Sequence, residues 1–186
     1  AETDHDVSSL RLGLYGAAPM PKEVLDACME HLCEEYVQAY GMTEIGPCGT
    51  FQSPEEQRTK QGSAGLPALN HQVRIVEPDA DPDATVEQGA IGEILFTGPC
   101  TMREYWNRPE ATADSLREAD GREWYYTGDL GYRDEDGYLY VVDRKDDMIV
   151  SGGENVYPTE VEDALYAHED VVEAAVVGEP HEERGE

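Results

Sequence analysis

Basic residues are scarce in this chain of 186 residues, which has 13 lysines and arginines against 41 acidic residues. The formal net charge is −28. Because a surface this negative repels phosphates, the composition disfavours binding to nucleic acid. High net charge also opposes collapse, so disorder is one interpretation. Short strand-like apolar runs and 11 tyrosines argue against disorder over most of the length.

The scarcity of lysine favours another interpretation of the charge, adaptation to high salt. Only three lysines occur, Lys22, Lys60 and Lys145. At molar ionic strength the Debye length falls to about 3 Å, so dense carboxylates no longer repel one another. The replacement of lysine by acidic residues across a whole surface therefore predicts a halophilic protein.

Cysteine pairs and long apolar runs are also absent. Cys28, Cys33, Cys48 and Cys100 form neither a CxxC pair nor a His/Cys cluster with the spacing of metal ligands. No stretch is apolar enough to span a membrane, and the first residues lack the pattern of a signal peptide. We therefore expect a protein of the reducing cytoplasm, without a membrane span.

The beginning of the chain has the pattern of an α/β unit. Residues 10–16 alternate between apolar and polar, and the segment 36–40 (YVQAY) also predicts a strand. Apolar residues at helical spacing from Lys22 onwards predict a helix between the two strands. Open α/β sheets bind ligands at the carboxyl ends of their strands. The segments YGAAP (15–19) and YGMTE (40–44) lie at such ends.

Residues 61–143 read as short strands divided by Gly, Pro and Asp turns, which predicts an antiparallel sheet or barrel. The segment DEDG (134–137) is typical of a hairpin turn. Asp79, Asp81 and Asp83 have the spacing that begins a calcium loop, but no glycine occupies the sixth position. A solvated acidic loop is the favoured interpretation of that segment.

The last part of the chain predicts a short charged linker at 144–147 and then an α+β unit over 148–186. In this unit the segment 157–167 has the pattern of a helix with Pro158 in its first turn. The segment 171–180 has the pattern of a strand. Because this unit stops unfinished, we expect the chain to be an internal piece of a longer protein.

The segment YGMTE combines residue types that suit a nucleotide. Gly41 permits a sharp turn after a strand, and Tyr40 offers a flat face on which adenine can stack. Thr43 supplies a hydroxyl for phosphate, and Glu44 supplies an oxygen ligand for Mg²⁺. The alternative is an ordinary strand-to-helix turn with a capping threonine.

The segment YTGD (126–129) suits a ribose. Its glycine is expected to open a turn that presents Asp129 after a strand, and one carboxylate can accept hydrogen bonds from two adjacent hydroxyls. The alternative is an aspartate that only serves a β-turn. For RKDDMIVSGGEN (144–155), the alternative to a functional role is a solvated linker followed by a hairpin turn.

Five segments in this order resemble motifs of the adenylate-forming superfamily of acyl-CoA ligases, luciferases and peptide-synthetase adenylation domains. They are YGAAP (15–19), YGMTE (40–44), GEILFTG (92–98) continuing to YWNRPEAT (105–112), YTGD (126–129) and DRKDDMIVSGGENVYPTEVE (143–162). Any one alone is a weak signal, but five in register are specific. The resemblance covers nearly the whole chain.

The resemblance implies an α/β plus β-barrel fold, which is the partial large N-terminal domain of such an enzyme followed by the start of its small α+β C-terminal domain. Residues 1–60 would end the α/β subdomain, residues 61–143 would form the barrel-like subdomain, and residues 144–147 would be the hinge. Residues 148–186 would begin the C-terminal domain.

The resemblance also implies ATP, Mg²⁺ and coenzyme A as ligands. It gives adenine to Tyr40, phosphate to Thr43 and Mg²⁺ to Glu44, and it places Gly41 among the cofactor-binding residues. The small residues that would border the adenine and the acyl tunnel are Gly16, Ala17 and Ala18.

Later segments supply the remaining implied roles. Asp129 would hold the ribose, and Arg144 would assist with ribose or phosphate. Asp146 would be the hinge about which the small domain rotates for the second half-reaction. Gly152 and Gly153 would then leave room for the pantetheine arm of coenzyme A.

The implied activity is that of an AMP-forming ligase, which joins a fatty or aryl carboxylic acid to coenzyme A through an acyl-adenylate. The segment SGGENVYPTEVE favours acyl-CoA ligases over enzymes that load a carrier protein, and luciferase-type oxidation is disfavoured. A non-catalytic nucleotide-binding module is the alternative from another class. Because the phosphate loop and the C-terminal lysine are expected outside Ala1–Glu186, the isolated chain is expected to be inactive.

Overall fold

Two β-sheets and a hairpin organise the computed structural model, which describes residues 5–18, 20–166, 168, 170–181 and 183–186. The first sheet has four strands in the order β1-β2-β3-β4. These strands are β1 (Gly13–Gly16), β2 (Tyr36–Tyr40), β3 (Thr50–Gln52) and β4 (Leu66–Pro67). The pair β1–β2 is parallel and the other pairs are antiparallel.

Two helices accompany the first sheet. Helix α1 (Lys22–His31) connects β1 with β2, as the helical spacing predicts. None of its residues is buried, so the predicted apolar stripe does not face a core within the described residues. Helix α2 (Pro54–Thr59) begins with a capping box in which Ser53 and Glu56 each bond the other's backbone N–H. That reciprocal cap satisfies two helix donors that would otherwise lack partners.

The second sheet is antiparallel and holds most of the buried apolar side chains. Its strands are β5 (Gln72–Val76), β6 (Gly92–Thr97), β7 (Leu116–Ala119), β8 (Arg122–Arg133) and β9 (Leu139–Arg144). Strand β6 pairs with one edge of β8. The opposite edge is shared, because β7 pairs with the first half of β8 and β9 with the second half. Helix α3 (Pro109–Ser115) leads into β7.

The side chains of Phe96 and Trp124 are fully buried in this sheet. The expected combination of an α/β part with a β-rich part is confirmed. In the part of the chain that the structure describes, the β-rich part is an open sheet rather than a closed barrel. The predicted hairpin at 134–137 joins β8 to β9.

A bulge in β8 places Asp129 differently from the prediction. Leu95 pairs with Tyr126 and Glu93 with Leu130, so three residues of β8 lie opposite one residue of β6. Gly128 has a φ of +71°, a value that glycine adopts without strain, and it permits the bulge. The expectation that Asp129 follows a strand was therefore wrong: it lies inside the continuous strand β8.

The C-terminal part contains a hairpin and a helix. The hairpin joins β10 (Ile149–Ser151) to β11 (Glu154–Val156), and helix α4 (Pro158–Tyr166) follows. The prediction of a strand at 171–180 was wrong. Those residues pair with no strand among the described residues, and Val172 and Val177 are 93% and 82% exposed. Apolar residues of α4, among them Val161 and Leu165, are also partly exposed. The predicted domain boundaries stay predictions.

Two aspartates of the acidic loop between β5 and β6 pair with cationic side chains. Asp79 pairs with Lys145, and Asp83 pairs with Arg74. Nowhere in the described residues do three or more His, Cys, Asp or Glu side chains group closely enough to hold a metal ion. Within the same residues, no helix is long and apolar enough to cross a membrane. The cytoplasmic location stays a prediction.

Candidate functional site

Three predicted site residues from distant segments meet in one hydrogen-bonded cluster. Tyr40 ends β2, Asp129 lies at the bulge of β8, and Arg144 ends β9. The Tyr40 hydroxyl donates to Oδ2 of Asp129 at 2.5 Å, and Nη1 of Arg144 donates to Oδ1 at 2.8 Å. Each carboxylate oxygen of Asp129 is therefore held by a different strand.

The bulge itself is stabilised by Thr127. The Thr127 hydroxyl donates to the carbonyl oxygen of Ile94 at 2.8 Å and accepts from the backbone N–H of Asp129 at 3.0 Å. The Asp129 side chain is 9% exposed, whereas the Arg144 side chain is 54% exposed. The arrangement thus consists of a nearly buried carboxylate bonded to a more accessible guanidinium.

The electrostatics of the cluster keep Tyr40 protonated. Burial raises the pKa of Tyr40 far above its usual range, and the negative charge of Asp129 raises it further. For Arg144, partial burial lowers the pKa, but the charge and hydrogen bond of Asp129, together with the charge of Asp146, raise the pKa overall, so the guanidinium stays charged. The cluster therefore consists of a neutral donor, an acceptor and a cation.

Close backbone contacts explain the small residues next to this cluster. A Cβ added at Gly41 would lie 2.7 Å from the backbone nitrogen of Gly49, which donates to the carbonyl oxygen of Tyr40. A Cβ added at Gly16 would lie 2.2 Å from the carbonyl oxygen of Ala39. Larger residues at either position would separate backbone segments that border the site.

The predicted residues Ala17 and Ala18 follow β1 directly and are exposed. Ala17 has a φ of +69°, an unusual conformation for a residue with a Cβ. Gly16 pairs with Ala39, the residue before Tyr40, so β1 ends beside the strand that carries Tyr40. Pro19, the last residue of YGAAP, lies outside the described residues.

Thr43 and Glu44 lie in a single 3₁₀ turn (Thr43–Ile45) after β2. The turn is anchored by Ile45, whose side chain is fully buried and whose carbonyl oxygen contacts Nε2 of His71 at 2.8 Å. Thr43 is exposed and Glu44 is partly exposed. The turn therefore presents a hydroxyl and a carboxylate at the end of the strand that carries Tyr40.

Two tyrosines contact the Glu44 carboxylate directly or at one remove, and the sequence interpretation gave neither a role. The Tyr105 hydroxyl donates to Oε1 of Glu44 at 2.9 Å, and it lies 3.1 Å from the Tyr125 hydroxyl. Burial raises the pKa of both tyrosines. Tyr105 is the first residue of the segment YWNRPEAT, which the family resemblance singled out. The sequence did not predict that its hydroxyl contacts Glu44.

The residues around Glu44 fit a Mg²⁺ ion. Oε2 of Glu44 accepts no hydrogen bond from the described residues, which leaves a hard oxygen ligand available. Mg²⁺ is usually held by one or two carboxylates together with substrate phosphates, rather than by a cage of protein ligands. A single carboxylate with one oxygen not engaged by the described residues is consistent with that chemistry.

The predicted hinge residue Asp146 follows Arg144 and Lys145, which are both held by ion pairs. Nζ of Lys145 lies 2.7 Å from Oδ1 of Asp79 and 3.2 Å from the carboxylate of Glu93, which is 1% exposed. The backbone N–H of Lys145 also donates to the carbonyl oxygen of Gly128 at 2.7 Å. The chain is therefore held to the second sheet up to the residue before Asp146.

The glycines predicted for the pantetheine arm lie at the turn of the β10–β11 hairpin. Gly152 and Gly153 have φ values of +63° and +91°, and open space surrounds both. The N–H of Gly152 donates to the carbonyl oxygen of Arg184. No hydrogen bond in the described residues joins either glycine to the Asp129 cluster, so the structure does not bring these two predicted groups together.

Comparison with known proteins gives two family matches. The family described as "AMP-binding enzyme" matches residues 1–106, and the "AMP-binding enzyme C-terminal domain" matches residues 160–186. A 2-succinylbenzoate–CoA ligase of Geobacillus kaustophilus is 46% identical over 96% of this chain, and a feruloyl-CoA synthase of an Amycolatopsis species is 44% identical over 97%. The chain spans 34% and 35% of these two proteins, about a third of their length.

Solved structures agree with these matches. The o-succinylbenzoate CoA synthetase of Bacillus subtilis, in complex with its acyl-adenylate intermediate, superposes with a TM-score of 0.83 at 40% identity, covering 98% of this chain and 36% of that one. ATP-bound MatB of Rhodopseudomonas palustris gives 0.82 at 32% identity, covering 94% and 33%. The AMP-binding enzyme family matches more than half of this chain, and its relatives and solved structures agree. The chain therefore belongs to the AMP-binding enzyme family.

Proposed function

We propose that this chain is part of an AMP-forming carboxylate–CoA ligase and forms much of its adenosine site. The observation that carries the proposal is the cluster of Tyr40, Asp129 and Arg144, which unites three strands at one carboxylate. An ionised carboxylate has about four lone-pair positions. Two are used by Tyr40 and Arg144, so two stay available for the ribose hydroxyls of ATP.

The cluster would orient the nucleotide for the first half-reaction. A carboxylate oxygen of the acid attacks the α-phosphorus of ATP, the bond to the bridging oxygen breaks, and pyrophosphate leaves. The product is an acyl-adenylate. Since phosphoryl chemistry of this kind depends mainly on positioning and charge stabilisation, fixed partners on Asp129 contribute by holding the ribose in place.

The turn after β2 would act on the phosphates. Thr43 offers its exposed hydroxyl to a phosphate oxygen, and Arg144 has guanidinium donors beyond the one that Asp129 accepts. Glu44 would hold Mg²⁺, which when bound neutralises charge that develops on the phosphates. The small residues Gly16, Ala17 and Ala18 would border the adenine and the acyl group.

The second half-reaction would use the C-terminal part. The thiol of coenzyme A attacks the acyl carbon of the adenylate, its proton is released, and AMP leaves as the thioester forms. We propose Asp146 as the pivot, because it directly follows Lys145, whose side chain and backbone are both held to the second sheet. The turn at Gly152 and Gly153, which is open in the structure, would then line the path of the pantetheine arm.

The proposed acid is an aryl or fatty carboxylate, with aryl acids as the first choice. Relatives with 44–46% identity are named for 2-succinylbenzoate and ferulate, both aromatic acids. The class of acid therefore rests on those relatives.

The test is AMP release by the full-length protein in molar KCl with ATP, Mg²⁺ and a panel of aromatic and fatty acids. We expect AMP only when both an acid and coenzyme A are present, with 2-succinylbenzoate or ferulate among the active acids. Pyrophosphate exchange without turnover on coenzyme A would instead indicate the loading of a carrier protein. No activity with any acid would reject the ligase.

We propose that the protein is adapted to high salt. The ion pairs of the described residues engage eight carboxylates, so most acidic residues in that part of the chain have no cation partner. We expect the melting temperature of the full-length protein to rise by about 10 °C between dilute buffer and molar KCl, because salt screens this repulsion. Melting curves followed by circular dichroism measure this rise. The control is sucrose, which stabilises proteins without screening charge. Equal stability in both buffers would contradict the proposal.

A further inference from the structure

We propose that Tyr105 is a positioning residue for the metal-binding carboxylate: its hydroxyl holds Oε1 of Glu44 so that Oε2 faces Mg²⁺. The inference rests on the proposed function, in which Glu44 is the metal ligand. It adds a residue from a segment 61 positions away in the sequence.

Glu44 is held both at its side chain and at its backbone. The Tyr105 hydroxyl donates to Oε1 at 2.9 Å, and the backbone N–H of Met102 donates to the carbonyl oxygen of Glu44 at 2.7 Å. One contact restrains the side chain and the other restrains the turn that carries it. With Oε1 occupied, Oε2 is the oxygen left for a cation.

Tyr105 is itself held by two further elements. Its backbone N–H donates to Oγ1 of Thr112 on α3, at 2.9 Å, and its hydroxyl oxygen lies 3.1 Å from the Tyr125 hydroxyl on β8. An ionised carboxylate is only an acceptor, so the proton of Tyr105 is committed to Glu44. Tyr125 must then donate to the oxygen of Tyr105.

This chain of donors has one direction, from Tyr125 to Tyr105 to Glu44. It ends on an oxygen of the proposed metal ligand, and every hydroxyl in it has a defined partner. Because a positioned carboxylate loses less freedom when it binds a cation, removal of the Tyr105 hydroxyl should weaken Mg²⁺ binding. A purely structural hydroxyl would change the stability and leave the Mg²⁺ dependence unaltered.

The experiment substitutes Tyr105→Phe in the full-length protein, which removes one oxygen and keeps the ring. We expect the Mg²⁺ concentration for half-maximal adenylate formation to rise roughly tenfold, as for the loss of one hydrogen bond to a charged group. The rate at saturating Mg²⁺ should stay near that of the unsubstituted protein. Binding of Mn²⁺ to the protein–ATP complex, followed by the loss of the free-ion EPR signal, should weaken in parallel.

The matched control is Tyr132→Phe, on the same strand as Tyr125 but stacked on Tyr140 away from Glu44. It should leave both metal readouts unchanged. Tyr125→Phe should weaken Mn²⁺ binding less than Tyr105→Phe, because it acts through Tyr105. Equal Mn²⁺ binding by the Tyr105→Phe variant and the unsubstituted protein would overturn the inference.

A double-mutant cycle with Glu44→Gln separates this inference from the proposed function. If Tyr105 acts through Glu44, Tyr105→Phe should have no further effect on Mn²⁺ binding in the Glu44→Gln background. If Glu44→Gln weakens metal binding and Tyr105→Phe does not, only the positioning role is wrong. If Glu44→Gln leaves metal binding unchanged, the proposed metal ligand is wrong and the positioning role falls with it.

Discussion

Substitution of Asp129 by asparagine is expected to raise the KM for ATP about a hundredfold in the full-length protein. Hydrogen bonds to a charged group contribute about 1.5–3 kcal/mol each, and a loss of about 2.7 kcal/mol corresponds to a hundredfold. The amide also turns one oxygen acceptor into a donor, which must face either the Tyr40 hydroxyl or the Arg144 guanidinium. Both the ribose contacts and the internal order of the cluster should therefore suffer.

The measurement is the ATP dependence of AMP release, compared with that of 2′-deoxy-ATP. The unsubstituted protein should prefer ATP, since Asp129 is proposed to bind the ribose hydroxyls, and the preference should shrink in Asp129→Asn. Asp114→Asn, on the exposed face of α3, is the control and should change neither value. A KM for ATP within threefold of the unsubstituted protein would show that Asp129 does not hold the ribose.

Substitution of Lys145 by methionine is expected to lower the free energy of unfolding by about 2–4 kcal/mol. The substitution leaves the carboxylate of Glu93, which is 1% exposed, without its cation. Removing one partner of a buried ion pair is costly because the remaining charge is neither solvated nor neutralised. The Lys145 side chain is 24% exposed, so water reduces the cost somewhat.

Chemical denaturation in molar KCl measures this effect. The control is Lys22→Met, which removes the same charge from the exposed i,i+4 pair with Asp26 and should cost about 0.5 kcal/mol or less. The double variant Glu93→Gln with Lys145→Met should recover much of the loss, because the buried charge is then gone. A cost for Lys145→Met no larger than that for Lys22→Met would contradict the role of the buried pair.

Local sequence patterns predicted much of the fold but failed where a segment depended on a distant partner. Helix α1, strand β2 and the 134–137 hairpin could be read from spacing and turn residues. The strand predicted at 171–180 has the right composition but no paired neighbour among the described residues. A strand is stabilised by cross-strand hydrogen bonds, and the sequence of a single segment does not supply them.

The candidate site shows the same division. Tyr40, Asp129 and Arg144 could be proposed individually, because each belongs to a motif that resembles those of a known family. Lys145 stood in a segment that reads as a charged linker, and its ion pair with the buried Glu93 could not be seen there. Tyr105 lay in a motif without an assigned chemistry.

By itself the sequence determined the family resemblance, the residue types suited to adenosine and Mg²⁺, and the turns that carry them. Only the tertiary structure decided which of these residues touch. The Tyr40–Asp129 hydrogen bond joins residues 89 positions apart, and the bulge at Gly128 places Asp129 within its strand rather than beyond it. The reason is physical: turn and helix preferences act over a few residues, whereas a site formed by three strands depends on how distant segments pack.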